Sequence, residues 1–221
     1  ATRERIALLL EGHVQYPFMT IGQIERFYSQ FYKKWNRAAY YELMEKLKVT
    51  PDQKLSSMSC GQRSQVALGL ILAQNADLLV LDDFSLGLDP GYRRLFTDYL
   101  REYAKAENKT VFMTSHIIQD MERLVDDCII LDYGRILVQK PVKELMDTFH
   151  RYAFTAADCS ALESDSRLYS TSRIRENCET FSFETGEAVR KILEEKAIEY
   201  KDLRQEKLSL EDIFIGLTGK Y

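Results

Sequence analysis

Two apolar runs in this 221-residue chain end in groups able to do chemistry: DLLVLDD (77–83) closes on the carboxylates Asp82 and Asp83, and TVFMTSH (110–116) on His116. Adjacent aspartates after a strand form either a solvated turn or a site of hard oxygen donors for a divalent cation. A histidine in the same position is either structural or a group that changes protonation near neutral pH. A third stretch, SSMSCGQ (56–62), puts a hydroxyl and a glycine just ahead of a helical segment. Helix N-termini attract anions through unpaired N–H groups and the macrodipole, although an ordinary N-cap has the same appearance. Each pattern taken alone has this plain structural reading. Their order along one chain, with SLGLDP (85–90) one residue after the aspartates, is more specific.

The elements that must position these residues follow from periodicity. IALLL (6–10), DLLVLDD and TVFMTSH read as buried strands, and DCIILDYGRILV (127–138) as a further strand with a turn near Tyr133-Gly134. Helical segments near 91–106 and 117–125 separate them, so a parallel sheet with helices packed on it is expected. Chemistry in such sheets gathers at the carboxyl ends of the strands, where Asp82, Asp83 and His116 fall. Between the first two strands the pattern predicts one long helix over about Ile21–Lys46, with Phe27, Tyr28, Phe31, Tyr32 and Trp35 on one face. Core packing explains such a stripe, and so does a groove for a partner's helix. A second helix, QRSQVALGLILAQ (62–74), is apolar around most of its circumference. From about residue 150, alternating segments with a helix near 187–196 and a last helix from Leu210 predict a small α+β appendage, Ser209 and Asp212 forming a capping box.

Composition narrows the classes. Thirty basic and 34 acidic side chains give a net charge of −4, which argues against a general affinity for nucleic acid or anionic lipid. The longest apolar run, VALGLILA (66–73), is too short to cross a bilayer, and the charged start ATRERIALLLEGH is too short for a secretory signal. Cys60, Cys128, Cys159 and Cys178 show no zinc spacing and read as free thiols, so a reducing cytoplasmic setting is the default.

The ordered series SSMSCGQ, LLVLDD, SLGLDP and TSH resembles the ATP-binding cassette (ABC) ATPases, the nucleotide-binding subunits of ABC transporters, over residues 6 to about 138. The resemblance implies an α/β, P-loop NTPase-like parallel sheet with a helical subdomain at about 17–75, incomplete at its N-terminus, and the C-terminal α+β appendage. The implied domains are 1–149 and 150–221. It also implies roles. Ser59, Gly61 and Gln62 match the signature motif that grips the γ-phosphate of ATP held by the opposite subunit, with Cys60 in place of a common glycine. Asp82 matches the carboxylate that holds Mg²⁺, usually through water. Asp83 stands where the family has a glutamate base. Asp89 belongs to the loop crossing the dimer interface, and His116 matches the switch histidine. Glu11 occupies the place of a glutamine that contacts metal and water. Leu10 and Phe84 each replace a common proline.

The family's phosphate loop, GxxxxGK[ST], is not among the 221 residues: of ten glycines only Gly219 precedes a lysine. The expectation is a C-terminal piece of a longer protein that does not bind ATP in cis. The alternative is a natural product without the loop, Ala1 having been exposed by methionine removal. In the leading reading the complete protein uses ATP and Mg²⁺ to close a head-to-tail dimer and drive an export-type membrane permease from the cytoplasmic face. Hydrolysis is slow, because aspartate is one methylene shorter than glutamate. The other readings are a non-catalytic regulatory or interaction module, and a soluble ABC protein acting on nucleic acid or the ribosome; for the latter, neither a coiled-coil insertion nor a basic stripe is found, and no nucleic acid is expected.

Overall fold

Three parallel strands carry the chemistry-bearing ends. They are β1 (Ile6–Leu9), β2 (Leu78–Asp82) and β3 (Thr110–Thr114), in spatial order β1-β2-β3. This computed structural model describes residues 3–10, 16–84 and 88–219, and they divide into two compact units, 1–120 and 121–221. In the first unit the register pairs Ile6 with Leu78 and Leu78 with Thr110, so that Asp82 stands directly opposite Thr114. The ends of β2 and β3 are thereby level at the carboxyl edge.

The helices of this unit are α1 (Ile21–Ser29), α2 (Arg37–Lys46), α3 (Cys60–Ala73), α4 (Pro90–Ala106) and the start of α5 (Ile118–Leu124). Eleven of the fourteen residues of α3 are buried, as its all-round apolar sequence requires, and α3 packs against β1, α2 and α4. Buried tyrosines tie the layers: Tyr40 Oη donates to the Ile21 carbonyl at 3.0 Å and Tyr103 Oη to that of Leu72 at 2.9 Å. Burial pushes the Tyr103 and Tyr99 hydroxyls up to about 12, so both stay protonated donors.

Three expectations need correction. The long helix over 21–46 is two helices. Gln30 Nε2 bonds back to the Arg26 carbonyl, and Asn36 starts α2 by accepting from Ala39 N–H at 3.2 Å. The buried carboxylate of Glu25, 1% exposed, holds the connection by accepting from Trp35 Nε1 at 2.8 Å and Arg37 Nε at 3.0 Å. Second, the sheet strands are not buried on both faces: Ala7, Leu9, Leu79 and Leu81 are buried, while Ile6, Leu8, Leu10 and Phe112 are 41–54% exposed. Third, 127–138 does not extend the parallel sheet. It folds into an antiparallel hairpin, β4 (Asp127–Asp132) with β5 (Arg135–Pro141), turning at Tyr133 (φ 43°) and Gly134 (φ 75°). Two consecutive positive φ values suit the right-handed twist of the ladder, and glycine supplies one without cost.

The second unit continues with α6 (Val142–Thr148), β6 (His150–Ala156), β7 (Tyr169–Ile174), β8 (Asn177–Ser182), α7 (Gly186–Glu195), β9 (Tyr200–Glu206) and α8 (Leu210–Thr218). Its four-stranded antiparallel sheet has the order β7-β8-β6-β9. That is the split β-α-β arrangement of ferredoxin-like folds, with a short 3₁₀ turn at Ser160–Leu162 in the first crossover. Tyr152, Phe154, Cys159, Cys178, Val189, Ile192 and Leu193 form its core. Ser209 and Asp212 cap α8 reciprocally, with Asp212 in the usual glutamate role.

Asp165 anchors the turn before β7. Its side chain is 7% exposed and its Oδ1 and Oδ2 accept from Arg167 Nε at 2.9 Å and Nη2 at 2.7 Å. The Arg167 guanidinium holds this carboxyl well below the usual carboxylate range. Asp165→Asn is therefore expected to cost about 1–2 kcal/mol of unit stability at neutral pH. Because the folded pKa is depressed, the contribution is full above about pH 4, the unfolded value, and is lost as pH falls below it. Urea denaturation of both proteins at pH 7 and at pH 3 checks this, the difference shrinking at the lower pH.

Candidate functional site

At the carboxyl edge of β2 and β3 one hydroxyl joins the two aspartates. Thr114 Oγ1 donates to Asp82 Oδ1 at 2.6 Å and accepts from Asp83 N–H at 3.1 Å, and the Thr114 carbonyl accepts from the same N–H at 3.2 Å. Asp83 sits at φ 42°, a left-handed conformation that costs a non-glycine residue on the order of 1 kcal/mol. That turn brings its carboxylate to His116, whose Nδ1 lies 2.9 Å from Oδ1 and 2.8 Å from Oδ2. A carboxylate only accepts, so Nδ1 carries the proton and, in the neutral ring, Nε2 is left as an acceptor. The ring is 56% exposed. Phe84, stacked on Phe96 of α4 at 4.3 Å, fixes the chain immediately after the aspartates.

The donor set suits Mg²⁺ held through water. Asp82 is exposed, its Oδ1 is oriented by Thr114, and its remaining lone pairs are free of other hydrogen bonds among the described residues. No group of three or more His, Cys, Asp or Glu residues able to cage a metal occurs among the described residues. Mg²⁺ keeps much of its hydration shell and takes one or two carboxylates along with substrate phosphates, so a single oriented carboxylate fits it.

Ser59 and Asp89 cap two neighbouring helices. Ser59 Oγ accepts from Gln62 N–H at 3.2 Å while Gln62 Oε1 accepts from Ser59 N–H at 3.1 Å, a reciprocal box at the start of α3. Asp89 Oδ1 accepts from the N–H groups of Gly91 and Tyr92 at 2.9 and 3.1 Å at the start of α4. Tyr92 locks the two helix starts together. A Cβ built on Gly61 would lie 2.5 Å from Tyr92 Cδ2, and Gln65 Nε2 donates to the Tyr92 carbonyl at 2.9 Å. Gly61, itself buried, thus makes room for a neighbouring ring. Gly61→Ala should cost about 1–3 kcal/mol through overpacking, and Tyr92→Ala in the same chain should restore most of it. Denaturant midpoints of the single and double variants test this, and an unperturbed Gly61→Ala protein would refute it.

The structure therefore joins Asp82, Asp83 and His116 in one cluster and places Ser59, Gly61, Gln62 and Asp89 at two abutting helix N-termini. Glu11 lies outside the described residues, as do residues 85–87 of the SLGLDP segment. Thr114, Tyr92 and Gln65 also belong to the site, through contacts that residue type and spacing do not mark. For Thr114 the signal is register: a hydroxyl two residues before the histidine falls opposite Asp82 once the strands pair in parallel.

A scan against protein-family models finds no match. Relatives are found among transporter ATP-binding proteins. The chain is 28% identical over 178 residues to the Nod factor export ATP-binding protein I of Rhizobium sp. (strain N33), covering 79% of this chain and 58% of that protein. It is 35% identical over 92 residues to the thiamine import ATP-binding protein ThiQ of Jannaschia sp. (strain CCS1), covering 42% and 40%. A solved ATP-binding subunit of an ABC transporter superposes with a TM-score of 0.56 at 22% identity, over 66% of this chain and 62% of that one. That superposition establishes an ABC-type, P-loop NTPase-like fold. The chain spans 31–58% of the length of the first four curated relatives it matches.

Proposed function

We propose that this chain, an ABC ATPase relative over most of its length, supplies the cation- and water-facing edge and the signature helix of an ATP-driven transporter subunit. The observation that carries the proposal is the hydrogen-bonded series Asp82–Thr114–Asp83–His116 at one sheet edge. Mg²⁺, when bound, neutralises phosphate charge and holds the transferring group in place. Asp82 would hold the ion through its hydration shell. Asp83 and His116 form a dyad in which the carboxylate fixes the ring, so that Nε2 faces the γ-phosphate side and orients the attacking water. The N–H groups at the start of α3, with the Ser59 hydroxyl, face nucleotide held by another subunit, whose glycine-rich loop cradles the phosphates. In this arrangement the nucleotide lies between subunits, and its binding shifts the population toward the closed dimer.

Coupling to a membrane permease is assigned to the ring cluster about α1. Phe18 and Phe31 are 69% and 64% exposed, and Tyr16, Phe27 and Phe31 meet edge to face with centroids 5.3–5.4 Å apart. Such a surface suits the apolar face of a partner's helix. Export is favoured over import because the export protein aligns over a stretch long enough to enter both compact units, whereas the match to the import protein covers 42% of the chain. No helix among the described residues is long and apolar enough to cross a membrane; the place of work, on the cytoplasmic side, is part of the permease reading.

A non-catalytic module is the second reading, favoured by the short Asp83 carboxylate already engaged by His116. Affinity purification of the tagged protein from its native cells separates the readings. The proposal expects a membrane permease and Mg²⁺-dependent ATP hydrolysis in the same fraction. Recovery with nucleic acid or ribosomes, or a permease complex without hydrolysis, would overturn it.

A further inference from the structure

We infer that Thr114 is a positioning residue for the cation-facing carboxylate, a role that rests on the functional reading above. Threonine at a strand end needs no special explanation, but the pattern of its bonds does. Its single hydroxyl hydrogen goes to Asp82 Oδ1 at 2.6 Å, the short range of a charge-assisted bond. A lone pair of the same oxygen takes Asp83 N–H at 3.1 Å, and the Thr114 carbonyl takes it at 3.2 Å. Donor and acceptor capacity are thus both engaged at the strand end, toward two consecutive carboxylate-bearing residues. The parallel register, with Thr114 directly opposite Asp82, makes this geometry an outcome of the fold.

Two consequences follow for a bound cation. With Oδ1 committed to Thr114, the carboxylate plane of Asp82 is fixed and Oδ2 becomes the oxygen available to the ion's water shell. The bond to Asp83 N–H supports the left-handed turn at φ 42° that carries the Asp83 carboxylate to His116. Without the hydroxyl, Asp82 rotates freely about its side-chain bonds and one of the two supports of that turn is gone. Partners of this kind around metal ligands are worth about 10- to 100-fold in metal affinity. Serine keeps the donor and the acceptor, whereas valine keeps the shape and loses both.

The test is a Mn²⁺ titration of the 221-residue chain, followed by paramagnetic broadening of the Asp82 and Asp83 amide signals, with fold integrity read from the remaining spectrum. Thr114→Val is expected to raise the half-saturating Mn²⁺ concentration about 10-fold, and Thr114→Ser to return it to within about 3-fold of the parent. An unchanged value in a folded Thr114→Val protein, with broadening that still depends on Asp82, overturns the positioning role alone. Broadening that persists in Asp82→Asn places the ion elsewhere, and overturns the functional reading along with this inference.

Discussion

Replacing Asp82 with asparagine in the assembled transporter is expected to reduce ATP hydrolysis at least about 100-fold while leaving the permease complex intact. The carboxylate sits exposed at the end of β2 with one oxygen held by Thr114. Asparagine keeps the shape but removes the charge that draws the hydrated ion, and it places an amide dipole where a full charge stood. Folding should be little affected, because the bond from Thr114 can still be accepted by the amide oxygen. Rates at saturating ATP, compared over a Mg²⁺ series, read the effect: excess Mg²⁺ should recover only part of the loss. A rate within a few-fold of the parent would remove Asp82 from the cation site.

Asp83→Glu is expected to act in the opposite direction and speed hydrolysis about 10- to 100-fold. In the present geometry both Asp83 oxygens lie within 2.9 Å of His116 Nδ1, so the carboxylate orients the ring and does not itself reach outward. One more methylene advances the charge by about 1 Å, and displacement on that scale changes rates by about 100-fold when a reacting group is concerned. The gain should appear in kcat and not in KM for ATP, since the lengthened side chain would reach the water and leave nucleotide binding unchanged. His116→Ala should slow the parent enzyme, and Asp83→Glu should not rescue that variant fully. Equal rates for the parent and the Asp83→Glu enzyme would mean that the carboxylate is not limiting.

The parts legible in the sequence were those set by local pattern. The apolar runs before Asp82 and His116, the helix that starts at Ser59, the turn at Tyr133-Gly134 and the cap at Ser209 all follow from residue type and spacing over a few positions. The break between α1 and α2 was not legible, because the aromatic spacing continues smoothly through it. What stops the helix is the Asn36 cap and the Glu25 carboxylate reaching ten and twelve residues along to Trp35 and Arg37, and neither is visible as periodicity. The partner of the 127–138 segment is hidden for a related reason: an apolar strand does not announce which partner it will take, and here the tight two-residue turn wins over a place in the parallel sheet.

At the site, residue types identified the ends of the strands and the fold supplied the connections. Asp82, Asp83 and His116 were recognisable as a series, while the hydroxyl that joins them depends on a cross-strand register that sequence spacing does not reveal. Gly61 shows the converse. Its place in the signature series suggested an open backbone, and the structure adds the Tyr92 ring that a side chain would strike.

The most direct measurement is a structure of the assembled transporter trapped with Mg²⁺ and a nucleotide in the hydrolysis state. The account predicts the ion's water shell against Asp82 Oδ2, His116 Nε2 within hydrogen-bond distance of the γ-phosphate or its attacking water, and the start of α3 facing nucleotide held by the other subunit. Nucleotide and metal bound with Asp82 and His116 turned away from both would contradict it.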